Sequence, residues 1–537
     1  MTDLNADIAI IGSGFGGSLT ALLAKRIGMA PVLIERGEHP RFAIGESSTP
    51  IADLVLRELC DRYGLDKIAP LCGYGSWKRV YPEITCGLKR GFSYFRHGSG
   101  GSARSGEPDG HRGSLRPRGD RANELLVAAS PDNEHSDTQW YRADVDAFFV
   151  KQVQEAGIPY FDRTELTSIE PGDVWRLSGR REAKKSASQE PLPFGRGTDV
   201  AELDVGFGTH SESITVRAGF VVDASGEPGA LRSALGIDDD PVAAGMKTNS
   251  RTIYSHFDGV RPWHDIYVSL GGDPGEHPFG CDDAALHQVI DGGWMWQLRF
   301  DNGVTSAGFV LDCDRYPHNA DISPGDEWAS LLARYPSIAA QFDSARAVMP
   351  LVRSGRLQRC ATRMAGDNWA MLPYTACFVD PLHSAGNAFT LTGIERLIAI
   401  LDENRDAADR ARRLADYDRA IKREAGLVDT LIHGCYLGFD RFELMIAYSM
   451  LYFAAATFSE HRRRAGEHRL EDGFLCGGDA AFRQIVERAY EMIATCSGDE
   501  PHNDDTAAFT ARMAELIAPY NVAGLCDAGK RNMYPFM

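Results

Sequence analysis

Gly12-x-Gly14-x-x-Gly17 stands between an apolar β run, Asp7 to Ile11, and a stretch of helical spacing, Ser18 to Ile27. That order restricts the N-terminal segment to one supersecondary unit: strand, tight turn, helix, then a second short strand at Pro31 to Ile34. Glycine permits the turn, and its missing side chain lets the backbone approach a pyrophosphate. The helix N-terminus adds unpaired N–H groups and the positive end of its dipole. The second strand ends at Glu35, at the spacing of about 20 residues where a carboxylate accepts from ribose hydroxyls. A carboxylate rather than a basic side chain favours an adenosine ribose without a 2′-phosphate. The segment reads as a dinucleotide cradle in an α/β fold.

The rest of the chain does not continue with the regular βαβ repeats usual in nicotinamide dehydrogenases. Helical spacing returns at Ile51 to Tyr63, and one strand pattern runs through Ile84 to Phe95. Gly98 to Asp120 is rich in Gly, Ser, Arg and Pro without apolar periodicity, and predicts a long mobile surface loop reaching about Thr138. Its arginines read either as an anion-steering device or as a plain solvated insertion. Tyr141 to Ala156 predicts a helix, and Ile214 to Val222 a strand that ends in Asp223-Ala224-Ser225-Gly226. Strand signals dominate from Thr252 to Leu311, which predicts a separate sheet, and from Asp402 onward the pattern is mostly helical. Arg462-Arg463-Arg464 reads as a solvated helix end or a partner contact. The organisation expected is a core over residues 1–400, interleaved with a β-rich part at about 252–311, and a helical region over 401–537.

Composition excludes several classes. With 57 basic against 75 acidic residues the net charge is −18, which disfavours nucleic acid as a partner. No apolar run approaches the ~20 residues that span a bilayer. Leu444 to Phe458 is interrupted by Tyr448, Ser449, Tyr452 and Thr457 and predicts a buried helix. The chain enters its first strand almost at once, so no signal peptide is expected. Eleven cysteines without a CxxC pair argue for reduced thiols, no metal centre and a cytoplasmic location.

Three further segments carry chemistry: Gly45-Glu46-Ser47 followed by Pro50, the Asp223 motif, and Phe378-Val379-Asp380-Pro381-Leu382-His383-Ser384-Ala385-Gly386. Together with the glycine turn they make the chain, over about residues 5–400, resemble the flavin-dependent halogenases. These are the tryptophan-halogenase-like branch of the FAD monooxygenase superfamily. The resemblance implies an FAD-binding Rossmann-like domain with an attached β-sheet substrate region and a helical C-terminal cap. It implies that Gly12, Gly14, Gly17, Glu35, Glu46, Ser47, Asp223, Asp380 and Pro381 serve FAD, and that Ser384, Ala385 and Gly386 hold chloride or bromide. A helix starting near Asn387 would favour such an anion. It also implies that Lys89, in a strand after the Gly-Glu-Ser segment, is the catalytic lysine that holds hypohalous acid formed at the flavin. An ammonium can polarise a halogen–oxygen bond, and a desolvated amine can form a chloramine. A plain surface lysine is the alternative for Lys89, and Lys78 is a weaker competitor.

The chain departs from the family in three places. The family's Trp-x-Trp-x-Ile-Pro, beside the passage between flavin and substrate, is matched at Trp294 and Trp296 but ends in Leu298-Arg299. Pro373-Tyr374 stands where many relatives have a Gly-Asp pair that binds the ribityl chain. His383 replaces the glutamate that acts beside indole in tryptophan halogenases, so free tryptophan is not the expected substrate. His383 reads either as a base near neutral pH or as a histidine satisfied by packing. The expected reaction is halogenation of a phenol, pyrrole or similar small aromatic molecule, free or carrier-bound. Reduced FAD would come from a separate flavin reductase. The alternative is an FAD-dependent monooxygenase or dehydrogenase of the same fold.

Overall fold

The computed structural model describes residues 2–98, 114–182, 211–227, 229–403, 406–496 and 503–537. Five parallel strands form the centre of one sheet, in the order Trp369–Met371, Ser211–Asp223, Thr2–Ile11, Pro31–Ile34 and Tyr160–Phe161. Ile8 to Ile11, Pro31 to Ile34 and Phe220 to Val222 are buried without alternation, as strands covered on both faces must be. The helix Phe15–Arg26 covers one face. An antiparallel ribbon, Thr164–Glu170 with Trp175–Glu182, extends the sheet along the outer part of Ser211–Asp223.

The β-rich part forms a second sheet. Ser250–Asp258, Thr305–Asp312, Gly293–Arg299 and Ala285–Ile290 lie side by side, and Gly91–Arg96, Glu124–Ala128 and Met533–Tyr534 continue it. The C-terminal strand thus returns from the helical region to the edge of this sheet. Two sequence expectations need correction here. Ile84 to Phe95 is not one strand, because Arg90 breaks it. Cys86–Lys89 pairs with Asp137–Trp140 in a separate ribbon, while Gly91–Arg96 joins the large sheet. Nor is the predicted loop to Thr138 unstructured throughout. Glu124 to Val127 are buried within their strand, because a short apolar run was masked by the polar average around it. The loop's Gly-rich part, 99–113, lies outside the described residues.

The helices Ala385–Asp402, Ala407–Gly438, Phe442–Arg464, Ala480–Cys496 and Asn503–Ile517 form the C-terminal layer. Phe442–Arg464 is long and apolar enough to cross a membrane by length and composition, but most of it is buried among its neighbours. The basic run ends this helix with Arg464 exposed, but its middle residue is not solvated. Arg463 is buried and pairs with Glu395 at 2.8 Å and Glu58 at 2.6 Å. Arg396 and Glu424 form a second buried pair, with two bonds of 2.8 and 2.5 Å, which locks Ala385–Asp402 to Ala407–Gly438. Glu424→Ala should lower stability in chemical denaturation by about 3 kcal/mol, because it strands a buried guanidinium. Replacing both partners with apolar residues should recover most of that loss.

Candidate functional site

A cavity of about 860 Å³ opens between the two sheets and the start of the helix Ala385–Asp402. One stretch of its wall is the glycine turn. Gly12 has φ +99°, and a Cβ there would lie 2.4 Å from the Ala224 carbonyl oxygen. A Cβ on Gly17 would lie 1.9 Å from the Gly12 oxygen, so this glycine exists to let helix and strand touch. Gly14 caps the helix in an extended conformation without a side-chain bond. A Cβ on it would meet only side chains: Arg142 Nη2 at 3.4 Å, Asp146 Oδ2 at 3.7 Å and Arg41 Nη2 at 4.0 Å.

Two arginines therefore border the turn. Arg142 is clamped by Asp146 at 3.0 and 2.9 Å and donates to the carbonyls of Ile44 and Gly45. Asp146 also accepts the Phe15 N–H at 3.0 Å. Arg41 keeps a buried Nε without a partner among the described residues. Glu35 accepts from the Ser13 N–H and Oγ and from the Gly37 N–H, at 2.8, 3.0 and 2.8 Å. Burial pushes its carboxyl up, but these donors and Arg41 hold it below the usual range, so it is a carboxylate. A cationic pocket at a helix start, with a fixed carboxylate beside it, fits a pyrophosphate joined to a ribose.

Another stretch of the cavity wall is aromatic. Tyr254, His287, Trp294, Trp296, Tyr374 and Phe378 line it. Both tryptophans face the cavity, as their spacing on a strand requires. Trp294 lies against His287 at 5.1 Å, and Trp296 donates to Ser306 Oγ at 3.1 Å. Leu298 keeps the apolar lining of that strand face, whereas Arg299 is drawn away by Asp282 and the Val260 carbonyl. Tyr374 also lines the cavity, with Arg359 5.1 Å from its ring centre. Asp380 accepts from Ser250, Tyr436 and the Leu382 N–H; burial nevertheless pushes it up to about 6. Pro381 and Ser384 to Asn387 border the cavity, and Ser384 caps the helix at φ 53° without a side-chain bond. The first N–H groups of that helix start therefore lack a capping side chain at the cavity wall.

Of the remaining expected site residues, Glu46 and Ser47 line the cavity. Glu46 is tied to His256 at 2.7 Å, and Ser47 Oγ is buried without a partner among the described residues. Asp223 does not line the cavity. It fastens the turn after its strand through Ser225 and the Leu231 N–H, and burial pushes its carboxyl up. Lys89 is fully buried, one residue behind the wall: its ammonium donates to the Ser48 carbonyl and lies 4.3 Å from the Phe92 ring centre. Lys78 is pinned at the surface by Asp301 at 2.5 Å.

Of the two readings of His383, the structure shows the packed one. Its ring stacks on Tyr452 at 4.2 Å, faces Tyr94 and Cys435, and does not border the cavity. Burial, with His287 nearby, pushes it down to about 3, so it stays neutral at ordinary pH. His383→Phe should therefore leave the pH profile of turnover unchanged, and a lost limb near neutrality would restore the base. Arg41, Arg142, His287 and Asp137 were not singled out from sequence. An Arg-x-x-x-Asp pair on one helix face signals Arg142, but cross-strand neighbours carry no linear signal.

The tryptophan halogenase family model matches residues 282–443. Monodechloroaminopyrrolnitrin halogenase PrnC of Pseudomonas fluorescens is 27% identical over 98% of this chain and 88% of its own. Tetracycline 7-halogenase of Kitasatospora aureofaciens is 28% identical over 85% and 74%. The crystal structure of halogenase PltM in complex with phloroglucinol and FAD superposes with a TM-score of 0.79 at 20% identity, covering 98% of this chain and 99% of that one. Motifs, family model and fold agree in making the chain similar to the flavin-dependent halogenases.

Proposed function

We propose that this protein is an FAD-dependent oxidoreductase that halogenates an electron-rich small molecule, a phenol, pyrrole or similar ring rather than free tryptophan. It would use reduced FAD, dioxygen and chloride or bromide. The observation that carries the reading is the cavity itself: a cationic glycine cradle, an aromatic stretch of wall, and a buried lysine behind the Ser47–Ser48 segment.

Bound FAD, when reduced, supplies the electrons that activate dioxygen. Glu35 would hold the ribose, and Arg41, Arg142 and the Gly14 turn the pyrophosphate. The helix start at Ser384, Ala385 and Gly386 would hold halide through backbone N–H groups. Trp294 and Trp296 keep the passage apolar and exclude water. Lys89 then orients hypohalous acid by donating to its oxygen. The ring carbon's electron pair forms the carbon–halogen bond as the halogen–oxygen bond breaks. The leaving hydroxide takes the Lys89 proton to become water, and the proton released by the ring restores the ammonium.

The reduced flavin would come from a separate reductase, and the substrate would be free or carrier-bound. The free cysteines fit a reducing, cytoplasmic setting. The test is product mass after turnover with reductase, dioxygen and bromide on a panel of phenols and pyrroles. Bromine replacing hydrogen is expected. The Leu298-Arg299 ending favours a second reading, a monooxygenase or dehydrogenase, which gains if oxygen is added or two hydrogens are lost.

A further inference from the structure

We propose that Asp53 and Asp137 are positioning residues for Lys89: the two carboxyls share one proton, and their single negative charge holds the ammonium behind the Ser47–Ser48 wall. The proposal rests on the reading of Lys89 as the group that delivers halogen. Lys89 and Asp137 are direct partners across the ribbon Cys86–Lys89 with Asp137–Trp140. Asp53 stands in the first turn of the helix Pro50–Tyr63, where it accepts from Ser48 Oγ at 2.5 Å. The carbonyl of the same Ser48 accepts from Lys89. One serine therefore ties the lysine to the carboxyl pair.

All three charged groups are buried. Asp53 and Asp137 are close enough for each to act on the other's charge, and Asp137 Oδ2 has no donor among the described residues. Two ionised carboxylates so placed repel, and one proton between them resolves it. It also leaves one negative charge opposite one ammonium, so no buried charge is uncompensated. Burial raises both carboxyls, Asp53 to about 7. The other titratable groups bearing on the pair are Arg57 on the Asp53 helix, Cys72, and Tyr452, Glu460 and Arg464 on the helix Phe442–Arg464.

The experiment compares Asp53→Asn, Asp137→Asn and the double variant in FAD-loaded enzyme, reading halogenation, flavin reoxidation and the 15Nζ signal of Lys89. Each single variant keeps one carboxylate and should lose only about three- to fivefold in halogenation, while the double should lose about a hundredfold. Flavin reoxidation should stay unchanged in all three. The Lys89 signal should survive in the singles and collapse in the double. A double variant that binds FAD and keeps wild-type halogenation and Lys89 signal overturns the proposal, as does a single variant as damaged as the double.

Should the double variant fail to fold, 13Cγ-aspartate spectra of the wild type decide. The pair should titrate in two coupled steps, the upper vanishing in either single variant. Two independent titrations in the ordinary carboxylate range would overturn it. If the wild type does not halogenate at all, the functional reading fails, and the two spectroscopic readouts still judge this pair.

Discussion

Lys89→Ala is expected to bind FAD normally and reoxidise reduced flavin, yet to lose halogenated product by about a hundredfold or more, ~3 kcal/mol of barrier. The two steps occupy different places. In the proposed function oxygen is activated in the cavity, whereas Lys89 lies behind its wall, bonded to the Ser48 carbonyl. Lys89→Arg should fail as well, because a guanidinium places its donors differently and cannot give up a proton. The wild type should show a matching pH effect. Burial pushes Lys89 down to about 8, although Asp137 and Asp53 oppose it. The ammonium is present below that pH and lost above it, so halogenation should fall as pH rises through it. Flavin reoxidation should not show that limb. Parallel assays of product and flavin absorbance measure both, and a loss of only about twofold in Lys89→Ala would make the lysine a bystander.

Gly14→Leu should abolish FAD binding, with affinity down by about a hundredfold or more, while thermal stability changes little. A Cβ at Gly14 makes ordinary contacts, so the fold tolerates it, but a longer side chain enters the space between Arg41 and Arg142. Gly17→Ala should behave in the opposite way. Its Cβ would overlap the Gly12 carbonyl at 1.9 Å, so folding itself should suffer. Flavin titration beside thermal melts separates the cases, and undiminished FAD affinity in folded Gly14→Leu would remove the cradle from this turn.

The contrast between these glycines shows what was legible in the linear chain. Strand, turn and helix around Gly12, Gly14 and Gly17 are local, as is Glu35 at the end of the next strand, so spacing alone located them. Trp294 and Trp296 were legible for the same reason, since alternation on a strand puts both on one face. What spacing did not reveal is pairing between distant segments. Arg90 separates two strands that belong to different sheets, and that break places Lys89 opposite Asp137. Glu124–Ala128 was hidden because its partners, Gly91–Arg96 and Met533–Tyr534, lie far away in sequence. His383 shows the same limit: its motif position marked it for chemistry, but Tyr452 and Cys435 on two distant helices decide its surroundings.

The central claim is that oxidised halogen passes inside the protein from the flavin cavity to Lys89 and from there to substrate. It is tested most directly by single turnover with reduced FAD, dioxygen and bromide in the presence of an excess thioether scavenger that consumes free hypobromous acid. The account predicts that a brominated product of defined regiochemistry forms in nearly the yield seen without scavenger, and that this product disappears in Lys89→Ala. Product that vanishes from the wild type when scavenger is added would show that hypobromous acid escapes to solvent, and would contradict it.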